Sequence, residues 1–443
     1  MDRAKSEGQP AKKKIDSRNR SLVDAMKILW IYPELPFPLT SGFLRGFHFL
    51  RILGQRHTVT FLCLTNQSQV PSETIPALKP YAERLVIFNK CNAPQSRWHQ
   101  VCGGLPVLGR RLQDFWSTRW VVAQMATAVH TLLKQEAFDL VLFHGRKAQT
   151  LLNKVEVPIV VECGDTNSAR ILEQTRRASL WLRPRLLFHY FMERRLEEKL
   201  AQKTPYRFFI SVRDRENLLG TSDRSAIVPQ GVDFDYWKRS RPPSGVNCIV
   251  FSGMMSYSPN ADAAVFLLDS ILPLVRQVFS ELEVLIVGRD PLPELVKMAQ
   301  RYPDVTITGA VDDIRPYLER ADIFVAALRF ASGVQNKVLE AMSMEVPVVT
   351  TPVVAAGLRV DGVEPQLVIG KTAAEIAAAI ISLLTDAGER ARLAIEGRRF
   401  VQAHCSWSRS AENLEELCVA AAGLQTNLMS GRALPRPTPA CPK

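Results

Sequence analysis

No apolar run in this sequence reaches the roughly 18 residues that a membrane span requires. No cysteine pair shows CxxC spacing, and no Cys/His cluster has the spacing of zinc ligands. The eight cysteines stand apart, several inside apolar runs such as VTFLCL around Cys63 and NCIVF around Cys248. A free thiol in such a run behaves as a small hydrophobe, so this usage points to a reducing, cytoplasmic compartment. The first twenty residues are polar and basic with no apolar stretch behind them, unlike a secretory signal. Acidic residues are the scarcer charge, 44 against 56 Lys and Arg, for a net charge of +12. The excess is local. Residues 1–27 carry +4, residues 425–443 carry +3 and residues 170–215 carry +7, which leaves the rest close to neutral. A nucleic-acid binder has basic residues over a whole face, so nucleic acid is not an expected partner. Solvated tails and attraction to an anionic lipid or charged acceptor are the two readings left.

What is present is ordinary globular composition, 47% hydrophobic and 23% charged, over 443 residues. That is length enough for two or more domains. Behind a basic leader at 1–25, expected to be disordered, a first buried strand is predicted from Met26 to the Pro-rich turn at Pro33. Apolar runs of strand length follow at 57–63, 84–88, 138–143, 157–162 and 206–211, separated by amphipathic stretches. After the basic linker segment KRSRPPSG the rhythm restarts at 247–252, 283–288, 304–308, 322–326 and 346–350. Continuous rather than alternating apolar strands between helices predict parallel sheets covered on both faces. The fold class is therefore α/β, with two doubly wound Rossmann-like domains facing across a cleft. Such sheets bind ligands beyond the C-terminal ends of their strands, and the cleft is the expected site.

Ser332 followed by Gln335 has the spacing of a capping box, and Gly333 lets a backbone approach a ligand closely. The helix N-terminus predicted there suits a phosphate. Lys337 and Glu340, three positions apart, share one helix face. They read either as a cation and a carboxylate for a nucleotide ligand or as a surface pair.

Several ordered segments of the second half carry a resemblance. They are Val228-Pro229-Gln230-Gly231-Val232-Asp233, Phe251-Ser252-Gly253 with Pro259-Asn260-Ala261-Asp262, Val287-Gly288-Arg289-Asp290-Pro291, and Gly309-Ala310-Val311-Asp312-Asp313. The most specific is Ser332-Gly333-Val334-Gln335-Asn336-Lys337-Val338-Leu339-Glu340-Ala341-Met342, followed by Val346-Pro347-Val348-Val349. Residues of about 205–424 thus resemble the retaining, family-4-like glycosyltransferases of the GT-B fold, especially those associated with exopolysaccharide synthesis. The first half matches chiefly at Pro36 to Arg45.

The resemblance implies an acceptor-side domain at 26–232, a linker at 233–245 and a nucleotide-sugar-binding domain at 246–400. A C-terminal helix at 401–424 would pack back on the first domain, ahead of a disordered tail at 425–443. It implies a nucleotide-sugar donor as co-substrate and a saccharide or lipid-linked acceptor. Lys337 would stabilise the departing diphosphate, with Arg289 second. Gly253, Ser332, Gly333, Glu340 and Asp312 would line the donor, Asp312 near the base. Gly42 and Arg45 would approach its phosphates from the first domain. His144 and Asp165 would serve the sugar or the acceptor, although a loop histidine and a helix-capping aspartate are the plain alternatives. Ser332 stands where relatives often carry Glu, and Gly253-Met254-Met255 where they often carry basic residues. No acidic pair of DxD type stands in a convincing place, so no metal is expected; Asp312-Asp313 reads first as a helix cap.

The basic, aromatic segment 176–195 suits either an interfacial membrane anchor or a helix packed on its own domain. The sequence therefore predicts a cytoplasmic glycosyltransferase, with possible peripheral placement at the inner membrane face. A non-catalytic sugar-binding scaffold and a nucleotide-sugar epimerase of the same fold are the alternatives.

Overall fold

The computed structural model describes residues 25–32, 34–36, 44–94, 106–221, 223, 225–241, 245, 247–360 and 362–423. Gly42, residues 1–24 of the leader, residues 242–244 of the linker and the whole of 425–443 lie outside them.

The first sheet holds β1 Lys27–Tyr32, β2 Thr58–Thr65, β3 Arg84–Asn89, β4 Leu140–His144, β5 Ile159–Gly164, β6 Arg207–Phe209 and β7 Ala226–Ile227. Its order is β3-β2-β1-β4-β5-β6-β7, all parallel. The second sheet holds β8 Cys248–Ser252, β9 Glu283–Val287, β10 Val305–Ile307, β11 Ile323–Ala326, β12 Val348–Thr350 and β13 Val368–Ile369. Its order, β10-β9-β8-β11-β12-β13, repeats the same winding. In each sheet the order reverses beside the first strand, which opens a crevice at the strands' C-terminal ends.

The apolar runs are continuous because both faces of each strand are covered. Along β1, Ile28, Trp30 and Tyr32 enter one core cluster while Leu29 and Ile31 enter the opposite one. Pro106–Gln135 covers the second face through Val121, Met125 and Val129. The first face is covered by Leu44–Leu53 together with Trp407–Ala422, the last described helix. The segment expected as a single helix from 401 is broken: Ala387–His404 ends, and Ser406 caps the next helix by accepting from Arg409 N at 3.1 Å.

The chain thus crosses between the domains twice, and the crossings touch. Val232 N donates to Cys405 O at 2.8 Å, and Val232 forms a parallel bridge with Ser406. Gly231 is required there, since a Cβ would lie 2.3 Å from the Trp407 ring. The two-residue edge strands β7 and β13 were not predicted from sequence, because runs so short carry no periodicity.

Segment 176–195 forms a helix pair, Asn167–Arg177 and Arg183–Ala201, with Pro184 in the first turn of the second helix. It does not bury its large apolar residues. Trp181 is 93% exposed, and Leu180, Phe188 and Phe191 are also exposed. No helix among the described residues is long and apolar enough to cross a membrane.

Candidate active site

A cavity of about 790 Å³ lies between the domains. Helix Leu44–Leu53 walls it through Phe47, His48 and Arg51, and the connector walls it from Gln230 to Trp237. Gly253, Tyr257, Asn260, Asp312, Lys337 and Glu340 close it from the second domain.

The turn after β8 sets its centre. Gly253 adopts φ +150°, and a Cβ there would come within 2.5 Å of the Asn260 amide and 3.0 Å of Lys337 Nζ. The missing side chain therefore lets the strand end, Asn260 and Lys337 converge. Asn260 donates from Nδ2 to Met254 O at 3.0 Å and accepts from Lys337 Nζ through Oδ1. The Lys337 ammonium also sits 4.8 Å from the Phe251 ring centroid. Asn260 holds Lys337 in place without neutralising it.

Burial lowers the Lys337 pKa from 10.5 to about 7, against the opposing charge of Glu340. Burial likewise raises Glu340 from 4.5 to about 7, with Lys337 opposing. Burial outweighs the mutual attraction of the two charges in both residues. Two titratable groups pushed towards neutrality on one cavity wall make this wall the candidate site.

Asp312 and Asp313 divide the roles foreseen for them. Asp313 accepts from Arg315 N at 2.9 Å and pairs with the Arg315 side chain at 2.7 Å, which secures the start of helix Arg315–Arg320. Asp312 faces the cavity. Arg289 does not: it is exposed, 3.8 Å from Asp290 and 3.4 Å from the Met254 sulfur.

Ser332 does not form the capping box. The helix begins at Asn336 with Gln335 at the cap position and no side-chain cap, because Gln335 Nε2 turns back to Ser332 O at 3.0 Å. Ser332 Oγ instead donates across the cleft to Asp165 Oδ2 at 2.7 Å. Gly333, at φ +62°, donates from N to Asp214 Oδ1 at 3.3 Å and accepts from Arg213 at 2.9 Å. Arg213 also reaches Val353 O. Asp165 and the Ser332–Gly333 turn therefore form a latch between the domains, outside the cavity wall.

Arg45 departs from its expected role. Its Nε donates to Glu162 at 2.5 Å and its other nitrogens donate to Pro229 O at 3.0 Å and Val228 O at 2.9 Å. The residue is buried, and this framework engages its guanidinium instead of an anion in the cleft. Glu162 also meets His144, with Oε2 3.0 Å from Nδ1, and His144 stacks on Tyr32 at 4.5 Å. Burial pushes Glu162 upward, but the charges of Arg45 and His144 prevail and hold it at about 2. Burial alone would lower His144; Glu162 overrides it and raises the pKa. His144 is the last residue of β4, one position earlier than expected from sequence, and stands beside rather than on the main cavity wall.

Three wall residues escaped sequence reasoning. His48 stacks on Trp407 at 4.5 Å, and burial lowers its pKa to about 4, with Arg51 adding to the effect. Asn260 and Tyr257 lay in or beside segments whose roles were not assigned; the Pro259-Asn260 start of a helix was the available signal for Asn260.

Residues 246–386 match the family described as glycosyl transferases group 1. No curated protein matches the chain by sequence. Among solved structures, HepE from Anabaena in complex with UDP-glucose superposes with a TM-score of 0.61 at 14% identity, covering 89% of this chain and all of that one. Sucrose-phosphate synthase from Thermosynechococcus elongatus gives 0.62 at 14% identity, covering 88% of this chain and 98% of that one. A glycosyltransferase from Rickettsia africae gives 0.61 at 14% identity, covering 90% and 99%. The protein has the GT-B fold. In GT-B terms the Asn260–Lys337–Glu340 wall lies in the C-terminal domain, within the segment that the family model matches. The Asp165–Ser332 latch joins that domain to the N-terminal one.

Proposed function

We propose that the protein transfers a hexosyl group from a nucleotide-sugar donor to a saccharide or lipid-linked acceptor, with retention at the anomeric carbon. The observation that carries this is the burial-shifted Lys337–Glu340 pair, held by Asn260 on the wall of the interdomain cavity. The family match over 246–386 and the GT-B neighbours that bind UDP and UDP-glucose support it. Lys337 faces the donor diphosphate, and its ammonium takes up the negative charge that grows as the sugar–phosphate bond breaks and the electron pair leaves with the nucleoside diphosphate. Glu340 accepts from the ribose hydroxyls and Asp312 lies towards the base. No metal ion enters this reading. His144, held by Glu162 at Nδ1, presents its other nitrogen towards the sugar or acceptor.

Exopolysaccharide or other cell-surface glycan synthesis is the setting, in the cytoplasm and peripherally at the inner membrane face. The exposed Trp181 and Phe188 beside Arg183 and Arg185 support the membrane contact.

Thermal unfolding of the full chain against a panel of nucleoside diphosphates tests the donor site, with Glu340→Ala as control. A ligand bound only by the folded state raises apparent stability by mass action, by about 2.7 kcal/mol at a hundredfold excess over Kd. A rise with one diphosphate that disappears in the control supports the reading. No rise with any member, in a protein shown to be folded, overturns it.

A further inference from the structure

We infer that a second cavity beside the donor cavity seats the phosphate-bearing head of a lipid-linked acceptor. The cavity measures about 490 Å³ and lies between the helix pair Asn167–Arg177 and Arg183–Ala201 and the second domain. Arg170, Arg177, Arg185 and His189 line it on one side, Ser258 and Asp262 on the other. Its charge is not cancelled from within. Among the described residues none of these three arginines makes an ion pair; Arg170 donates only to the amide oxygens of Asn167 and Gln174. The single acid on the wall, Asp262, is already held by Arg329.

Guanidinium forks gathered with no unpaired carboxylate match the oxygens of a phosphate or diphosphate. Apolar surface continues from this charge. Leu182 and Leu186 line the same cavity, and Trp181, next to Leu182 in the chain, is 93% exposed. An anionic head joined to a long hydrocarbon chain fits that sequence of surfaces; a free sugar phosphate leaves the apolar surface unused.

The placement relative to the donor is direct. Tyr257 lines the donor cavity and Ser258 the second, so one step along the chain separates the two walls. The Arg170 guanidinium lies 5.7 Å from the Tyr257 ring centroid. A saccharide carried on the bound phosphate therefore starts next to the donor sugar. Only the word acceptor rests on the sugar-transfer reading; the binding site does not.

The test is co-sedimentation of the full chain with neutral phosphatidylcholine vesicles containing about 2% polyisoprenyl diphosphate, or the same fraction of phosphatidylglycerol. Two double variants are compared, Arg177→Ser with Arg185→Ser, and Arg195→Ser with Lys199→Ser. Both remove two exposed charges from the same region, but only the first touches the cavity. The expected result is preferential binding to the diphosphate vesicles, at least tenfold weaker in the first variant and within twofold of wild type in the second. Equal binding to both vesicles would assign the site to bulk anionic lipid and overturn the inference. So would an equal loss, or no loss, in the two variants. Nucleoside-diphosphate stabilisation is read on the same proteins. If it is absent in wild type the donor reading fails on its own, and if it survives in the first variant that variant is folded.

Discussion

The two domains that face across the cleft handle charge in opposite ways. On the N-terminal side Arg45, Glu162 and His144 satisfy one another, and Glu162 is held at about 2, far below its ordinary value. On the C-terminal side Lys337 and Glu340 are both driven towards neutrality, to about 7. A depressed carboxylate pKa means that the fold favours the charge; pairs shifted the other way mean that the fold tolerates the charge until something else compensates it. The first arrangement builds a framework, and the second leaves two shifted groups on a cavity wall.

Breaking the framework has the largest expected effect. Glu162→Ala leaves the buried Arg45 without its carboxylate and lowers stability by about 3–5 kcal/mol, read from urea unfolding. Because the folded pKa of Glu162 lies below 4.5, its contribution is full above pH 4.5 and fades as pH falls towards about 2. The variant's deficit shrinks over that window.

Lys337→Met sharpens the contrast from the other side. It removes a desolvated cation, so stability does not fall, while the transfer rate drops about 10²–10³-fold if the ammonium serves the leaving group. Stability and kcat measured on one preparation separate the two arrangements. A parallel loss of both would place Lys337 in the framework instead.

The same shift gives a pH signature. Above about 7 the empty site holds Lys337 largely neutral, and a bound diphosphate favours its charged form. Binding at pH 8 therefore takes up a proton, and affinity weakens by up to about tenfold per pH unit above that range. Calorimetry in buffers of differing ionisation enthalpy reads the uptake. Glu340 titrates in the same range, so the profile belongs to the pair.

The smallest effect is expected at the latch. Asp165→Asn still accepts from Ser332 Oγ through its amide oxygen, so activity stays within about threefold. A loss of a hundredfold or more would return Asp165 to the role of a base.

The asymmetry also explains what could be read from sequence. The strands were legible because both-face burial writes continuous apolar runs, as in Lys27–Tyr32 and Glu283–Val287. Lys337 and Glu340 were legible because three positions on a helix fix a shared face. The Arg45–Glu162 pair spans 117 positions and the Ser332–Asp165 bond spans 167, so no local spacing announces either. Ser332-x-x-Gln335 misled for the same reason: the local capping pattern was present, but the bond across the cleft took the hydroxyl. Trp407 and His48, packed together from opposite ends of the chain, are equally invisible locally.

The double crossing of the chain has a mechanical meaning. Two segments running side by side at Val232 and Ser406, tied by a backbone bond and flanked by the Trp407 ring against Gly231, act like the paired pins of a door. A single tether would let the domains twist and slide freely. Two adjacent ones restrict that freedom, and because Gly231, Val232 and Trp407 also line the first cavity, the paired crossing fixes one of its walls while the Ser332–Asp165 bond ties the domains at a second point.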